Sequence, residues 1–118
     1  MSQESLENFG AYRLAMELFD LVVQDTGQIE KHAQTYRLVA QQVASADSIC
    51  ANIEEGHGRE TTRDYTHFLV MARGSARETR GRYLRMKHWL APEAAHLDNA
   101  IEPPRRWVHG DLGESSTS

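Results

Sequence analysis

Apolar residues first recur with helical spacing between Ser5 and Thr26. Tyr12, Ala15, Phe19 and Val22 follow one another at intervals of three and four, and Leu14, Leu18 and Leu21 form a second stripe beside them. This pattern predicts a helix with a wide apolar face. Gly27 marks its end, and the polar run GQIEKHAQT reads as a loop. A second helix is predicted from Thr35 to Glu55, free of Pro and Gly, with Leu38, Val39, Val43, Ala46, Ile49, Cys50 and Ile53 facing inward. Gly56 then stands where a C-terminal cap favours a residue that tolerates positive φ, and Gly58 lets the chain reverse.

A third helix restarts at Thr61 or Thr62. Thr61 with Asp64 three residues on resembles a capping box with Asp in place of Glu. Its apolar positions are Tyr65, Phe68, Ala72, Ser75 or Ala76, Thr79, Tyr83, Met86 and Leu90. At 1.5 Å per residue such a helix is about 43 Å long, which in so short a chain demands a bundle. Pro92 opens a short fourth helix over Glu93–Ile101, and Pro103-Pro104 ends it. The expected fold is therefore all-α: three long helices and a short fourth over residues 1–102, then a polar C-terminal tail over residues 103–118.

Composition narrows this picture. The 118 residues fit one domain, and a formal charge of -4 places the chain in no strongly acidic or basic class. Cys50 is the sole cysteine, so an intrachain disulfide is ruled out and a reducing compartment is expected. No basic-then-apolar leader opens the sequence, and nowhere do about 18 apolar residues run together. A cytoplasmic protein without a membrane partner is the expectation. Charge is unevenly spread: residues 1–56 carry 3 Lys/Arg against 9 Asp/Glu, residues 57–88 carry 8 against 3, and residues 89–118 carry 2 against 5.

Two clusters invite a chemical reading. Ser48, Asn52 and Glu55 share one face of the second helix at i, i+4 and i+7, followed by Gly56, His57 and Gly58. A hydrolytic nucleophile needs a base within reach and a third group that orients it. The nearest histidine lies past a turn, so these residues read as a structural corner, with Asn52 and Glu55 bonding to a neighbouring helix and to the free amides that open the third. No catalytic residue is assigned. Glu93-Ala-Ala-His96 matches half of a di-iron bundle motif, and Asp64-Tyr-Thr-His67 is the nearest second candidate, off the apolar stripe. Neither supports a metal or other cofactor.

The third helix carries the remaining signals. Gly74 and Gly81 lie seven residues apart on one line, and each costs roughly 1 kcal/mol in a helix interior relative to Ala. Close approach of another helix, from the same subunit or the next, explains them. Arg59, Arg63, Arg73, Arg77, Arg80 and Lys87 fall within an arc of about 120° beside the apolar face. Such a stripe suits phosphate contacts to RNA or DNA, and equally suits salt bridges to Glu17, Asp20 or Glu54 within or between subunits. Val70 and Leu84, with Met71 and Trp89 on the other side, exceed what one core covers, so a homo-oligomer is expected.

The run Tyr36, Leu38, Gln41, Ser48-Ile49, Ala51-Asn52-Ile53, Glu55-Gly56, Gly58-Arg59, Phe68-Leu69, Ala72-Arg73-Gly74-Ser75 and Glu78, with YRLAMEL at Tyr12–Leu18, resembles a known bacterial family. Its members are four-helix-bundle proteins encoded by intervening sequences in 23S ribosomal RNA genes, and the same fold serves as the accessory variability protein of diversity-generating retroelements. The resemblance spans roughly residues 9–90. It implies an antiparallel up-down bundle, a homopentameric ring and no enzymatic activity. Through the retroelement relatives it also implies a nucleic-acid-associated adaptor with a reverse transcriptase or another protein as partner. The alternative expectation is an oligomeric protein-interaction scaffold without nucleic acid. The chain differs from many members at Val43-Ala44, where they carry two basic residues, and in its short, proline-bounded fourth helix.

Overall fold

A computed structural model describes residues 5–27, 29 and 31–90. It is all-helical over these residues, with three long helices: α1 (Gly10–Thr26), α2 (Tyr36–His57) and α3 (Thr62–Arg85). One-turn 3-10 segments precede α1 at Leu6–Asn8 and follow α3 at Met86–His88. The expected fourth helix over 93–101 and the tail over 103–118 lie outside the described residues.

Side-chain contacts fix the topology. Tyr12 near the start of α1 bonds to Glu54 near the end of α2, so these two run antiparallel. Gln42 and Ser48 of α2 meet Thr79 and Ser75 of α3, so these also run antiparallel. Phe9 meets the Tyr65 ring at one end and Asp25 accepts from Tyr83 at the other, which sets α1 parallel to α3. The path is up, down, up.

The core follows the periodic stripes, with Ala11 and Leu18 buried in place of Tyr12 and Phe19 in α1, and Leu69 in place of Phe68 in α3. Ala11, Ala15, Leu18 and Val22 of α1 pack on Ala46, Ile49, Cys50 and Ile53 of α2, and on Tyr65, Leu69, Ala72, Ala76 and Tyr83 of α3. A second cluster of Ile29, Val39 and Met86 seals the end where the α1–α2 loop meets the end of α3. The loop is anchored there by Thr35, whose buried hydroxyl donates to the carbonyls of Ile29 and His32. Helices that are marginal alone are held by this shared burial.

Three boundaries differ from the sequence reading. α1 starts at Gly10 and not Ser5, because Phe9 adopts an extended conformation as the N-cap residue and is itself buried, stacked near His57 and Tyr65. α2 continues through Gly56 to His57, and its cap, Gly58, has φ -87° and not a left-handed value. Gly56 is required for space: a Cβ there would lie 2.7 Å from the Phe68 Cβ and 3.4 Å from the Tyr65 carbonyl. α3 ends at Arg85, where the chain tightens into the 3-10 turn that buries Met86. At its start the Thr61 hydroxyl accepts from the Asp64 amide at 3.1 Å, as the capping pattern predicts.

Candidate interaction surface on the third helix

The two sides of α3 have opposite characters. Toward α2 it presents a continuous polar ladder. Asn52 Nδ2 donates to the Ser48 carbonyl at 2.8 Å and to its hydroxyl at 3.1 Å, and the Ser48 and Ser75 hydroxyls share a bond of 2.9 Å across the interface. Thr79 donates to the Ser75 carbonyl, its hydroxyl lies 2.8 Å from that of Ser45, and Gln42 Nε2 donates to the Thr79 carbonyl at 2.8 Å. Gln42 and Thr79 are fully buried, so each bond replaces one to water that burial removes.

Arg82 completes the ladder. Its Nη1 donates to Gln42 Oε1 at 3.0 Å and Ser45 Oγ at 2.9 Å, and reaches the Gln41 carbonyl at 3.4 Å. Desolvation lowers the affinity of this guanidinium for its proton, Glu78 opposes that, and Arg85 adds to it. Arg82 was not among the residues that the sequence reading singled out. The signal available was its position about 180° from Arg73 on the helix wheel, on the line that carries Ser75.

The corner residues join the same seam. Ser48 and Asn52 bond to each other and to Ser75, while His57 stacks on Phe9 at a centroid distance of 5.8 Å. Glu55 pairs with Arg59, whose guanidinium carbon lies 4.8 Å from the Phe68 ring centroid. Asn52 thus bonds within α2 to Ser48 and Glu55 to Arg59, while the Asp64 amide at the start of α3 is served by Thr61. Among the described residues, no group of three or more His, Cys, Asp or Glu is arranged to hold a metal ion. Asp64 and His67 are both exposed on α3, and Glu93 and His96 lie outside the described residues.

Away from α2 lies the basic arc. Arg59 belongs to the α2–α3 connection and is engaged at the corner. Arg63, Arg73, Arg77 and Arg80 project from α3, and Lys87 from the turn after it. Arg73 is half-buried and the other four are exposed. Interleaved with them are Val70 and Leu84, each 43% exposed. Gly74 and Gly81 occupy the same side. A Cβ at Gly74 would meet nothing within 4 Å, and one at Gly81 would meet only Arg85 Nη1 at 3.3 Å.

A contrasting acidic face lies along α1 and α2. The Tyr12 hydroxyl donates to Glu54 Oε2 at 2.7 Å, and this bond, with burial and the Glu54 charge, pushes the phenol up to about 12. Cys50 is raised to about 11, by burial first and then by the charges of Glu54, Asp47 and, more weakly, Asp20. The thiol is accordingly protonated and inert at neutral pH. Among the described residues, no helix is long and apolar enough to cross a membrane.

Compared with curated proteins, the chain has no match. The family model of the 23S rRNA-intervening sequence protein covers residues 7–96, most of the chain and all three long helices, in agreement with the residues that carry the resemblance. The chain belongs to the 23S rRNA-intervening sequence protein family.

Proposed function

We propose that this is a non-enzymatic, self-assembling helical adaptor of the cytoplasm that engages RNA or DNA phosphates through the outer face of α3. The observation that carries the reading is segregation: Arg63, Arg73, Arg77, Arg80 and Lys87 gather on the side of α3 turned away from α2, while residues 1–56 hold the acidic excess. A segregated basic track attracts phosphates even on a protein of negative net charge. In this reading residues 93–101 form the short fourth helix of the bundle, and the family's ring, a homopentamer, multiplies the track.

Mobility-shift titration across salt tests it. A track that neutralises Z phosphates gives a log–log slope of about -0.7Z on single strands and -0.9Z on duplex, so Arg73→Gln with Arg80→Gln should flatten the slope by roughly 1.4–1.8. Absence of binding at low salt overturns the nucleic-acid reading.

A second reading, a protein-interaction scaffold that binds no nucleic acid, is favoured by one specific feature. Val70 and Leu84 stand exposed among the cations, and an apolar side chain adds nothing to a phosphate track. Under this reading the salt titration is flat while the protein still assembles.

A further inference from the structure

Val70, Gly74, Arg77, Gly81 and Leu84 follow one another on α3 at intervals of four, three, four and three. A line with this 3.5-residue repeat is the surface that another helix reads when it packs at a shallow angle. The line lies about 150° around α3 from the side chains that reach α2. Its glycines leave room for an approaching helix, and within the described chain that room is used only by the tip of Arg85. Glycine in a helix interior is unfavourable unless such an approach repays it.

The chain carries a face complementary to this one. On α1, Met16, Asp20 and Val23 recur at i, i+4 and i+7 and are all exposed, with Met16 at 42% and Val23 at 47%. Asp47 and Glu54 of α2 extend this acidic surface, and both are exposed. Apolar side chains seven residues apart thus flank an acid on α1. On α3 the seven-residue repeat Val70, Arg77, Leu84 places a cation between two apolar side chains.

We infer that copies of this chain associate head to tail, the Val70–Leu84 line of α3 in one copy seating on the acidic α1–α2 face around Asp20 in the next. The inference rests on the self-assembly part of the function proposed above and names the two faces that meet. A symmetric α3-to-α3 contact would set Arg77 and its neighbours against their own copies, and like charges across an interface are strongly unfavourable. Unlike faces make the contact heterologous, so it propagates until a ring closes. Arg73, Arg80 and Lys87, again seven residues apart, form a separate cationic row beside the line. That row borders the contact without entering it, so each closed contact adds one cationic row to the rim.

Charge reversal tests the assignment on the full chain. Light scattering at micromolar concentration is compared for the parent, Arg77→Glu, Asp20→Arg and the combined variant, with circular dichroism melting of each as the check on folding. The parent is expected at a multiple of 13.4 kDa, each single variant shifted at least tenfold toward the monomer, and the combined variant restored. Single variants that keep the parent mass, or a combined variant no better than either single one, overturn the pairing of these faces while self-assembly stands. A parent that is monomeric throughout overturns self-assembly and this inference together.

Discussion

Gly56 and Gly74 are both helical glycines, and they face opposite situations. At Gly56 the chain itself supplies the reason, since a Cβ would collide with the Phe68 Cβ at 2.7 Å, a backbone-proximal atom that cannot swing aside. At Gly74 a Cβ would meet nothing within 4 Å. The α2–α3 seam is thus closed within the subunit, packed at Gly56 and bonded through Gln42, Ser45, Ser48, Ser75 and Thr79. The outer face of α3 combines exposed Val70 and Leu84, cations, and two glycines whose added Cβ would touch no atom of α1 or α2. One surface of this helix is explained by the described subunit, and the other is the surface that the proposed assembly would cover.

The seam is broken most severely at Gln42. Gln42→Ala removes the donor to the Thr79 carbonyl and the Gln42 Oε1 acceptor of Arg82, and empties a fully buried site. Loss of a bond to a charged group and the cavity together should cost about 3 kcal/mol. Urea denaturation checks this, and a loss below about 1 kcal/mol would mean that water replaces the amide and that the seam is open. Gly56→Ala comes next. The added methyl forces α2 and α3 apart, an overpacking cost of about 2 kcal/mol after the helix-propensity gain of Ala is included. An unchanged melting temperature would show that the seam yields at no cost.

Alkaline pH probes the buried groups of the core. Tyr83 is buried and donates to Asp25 at 2.7 Å. Burial first, and then that bond, holds its ionisation well above the ordinary phenol value. The Cys50 thiol is raised from 9.0 to about 11. Both shifts are upward, so stability is full below pH 9 and falls as the unfolded chain ionises first, with a slope of up to about 1.4 kcal/mol per pH unit for each group. Cys50→Ala should remove the part between about pH 9 and 11, and Tyr83→Phe the part that begins above 10. Denaturant titrations from pH 7 to 11.5 measure both slopes, and parallel curves for Tyr83→Phe and the parent would show that the phenol ionises in the folded state as readily as in the unfolded.

What the sequence disclosed, and what it withheld, follows from range. Helical spacing of Ala15, Val22, Ala46, Ile49, Ile53, Tyr65, Ala72 and Tyr83 is a local property, and these residues are buried. The burial of Gln42, Ser45 and Thr79 was not legible, because a polar side chain goes inside only when a partner on another helix satisfies it, and that pairing depends on the register of α2 against α3. Arg82 was missed for the same reason, and Arg59 was grouped with the stripe because a wheel drawn through residues 59–87 ignores the turn before Thr62. The glycine at 56 was read as a cap from its place near a helix end, whereas its role comes from Phe68, twelve residues later and on the facing helix. Family membership was legible because the motif residues are themselves sequence.

The smallest predicted effect separates the two sides of α3 most cleanly. Gly74→Ala adds one methyl to a position with open space around it in the subunit. If the outer face of α3 is only a solvated surface, the substitution gains about 1 kcal/mol of helix propensity and raises the melting temperature by roughly 4–8 °C, with no change of mass. If another helix lies against the Val70–Leu84 line, the same methyl intrudes at the point of closest approach. The dissociated subunit then still gains its propensity term, while the assembly loses a comparable or larger amount at every contact. The expected outcome is therefore a split: higher stability per subunit in dilute solution, and a midpoint of dissociation moved to higher protein concentration. Dilution-series light scattering read beside thermal melts records both. A rise in melting temperature with an unmoved dissociation midpoint would place Gly74 in open water and remove the line from the interface.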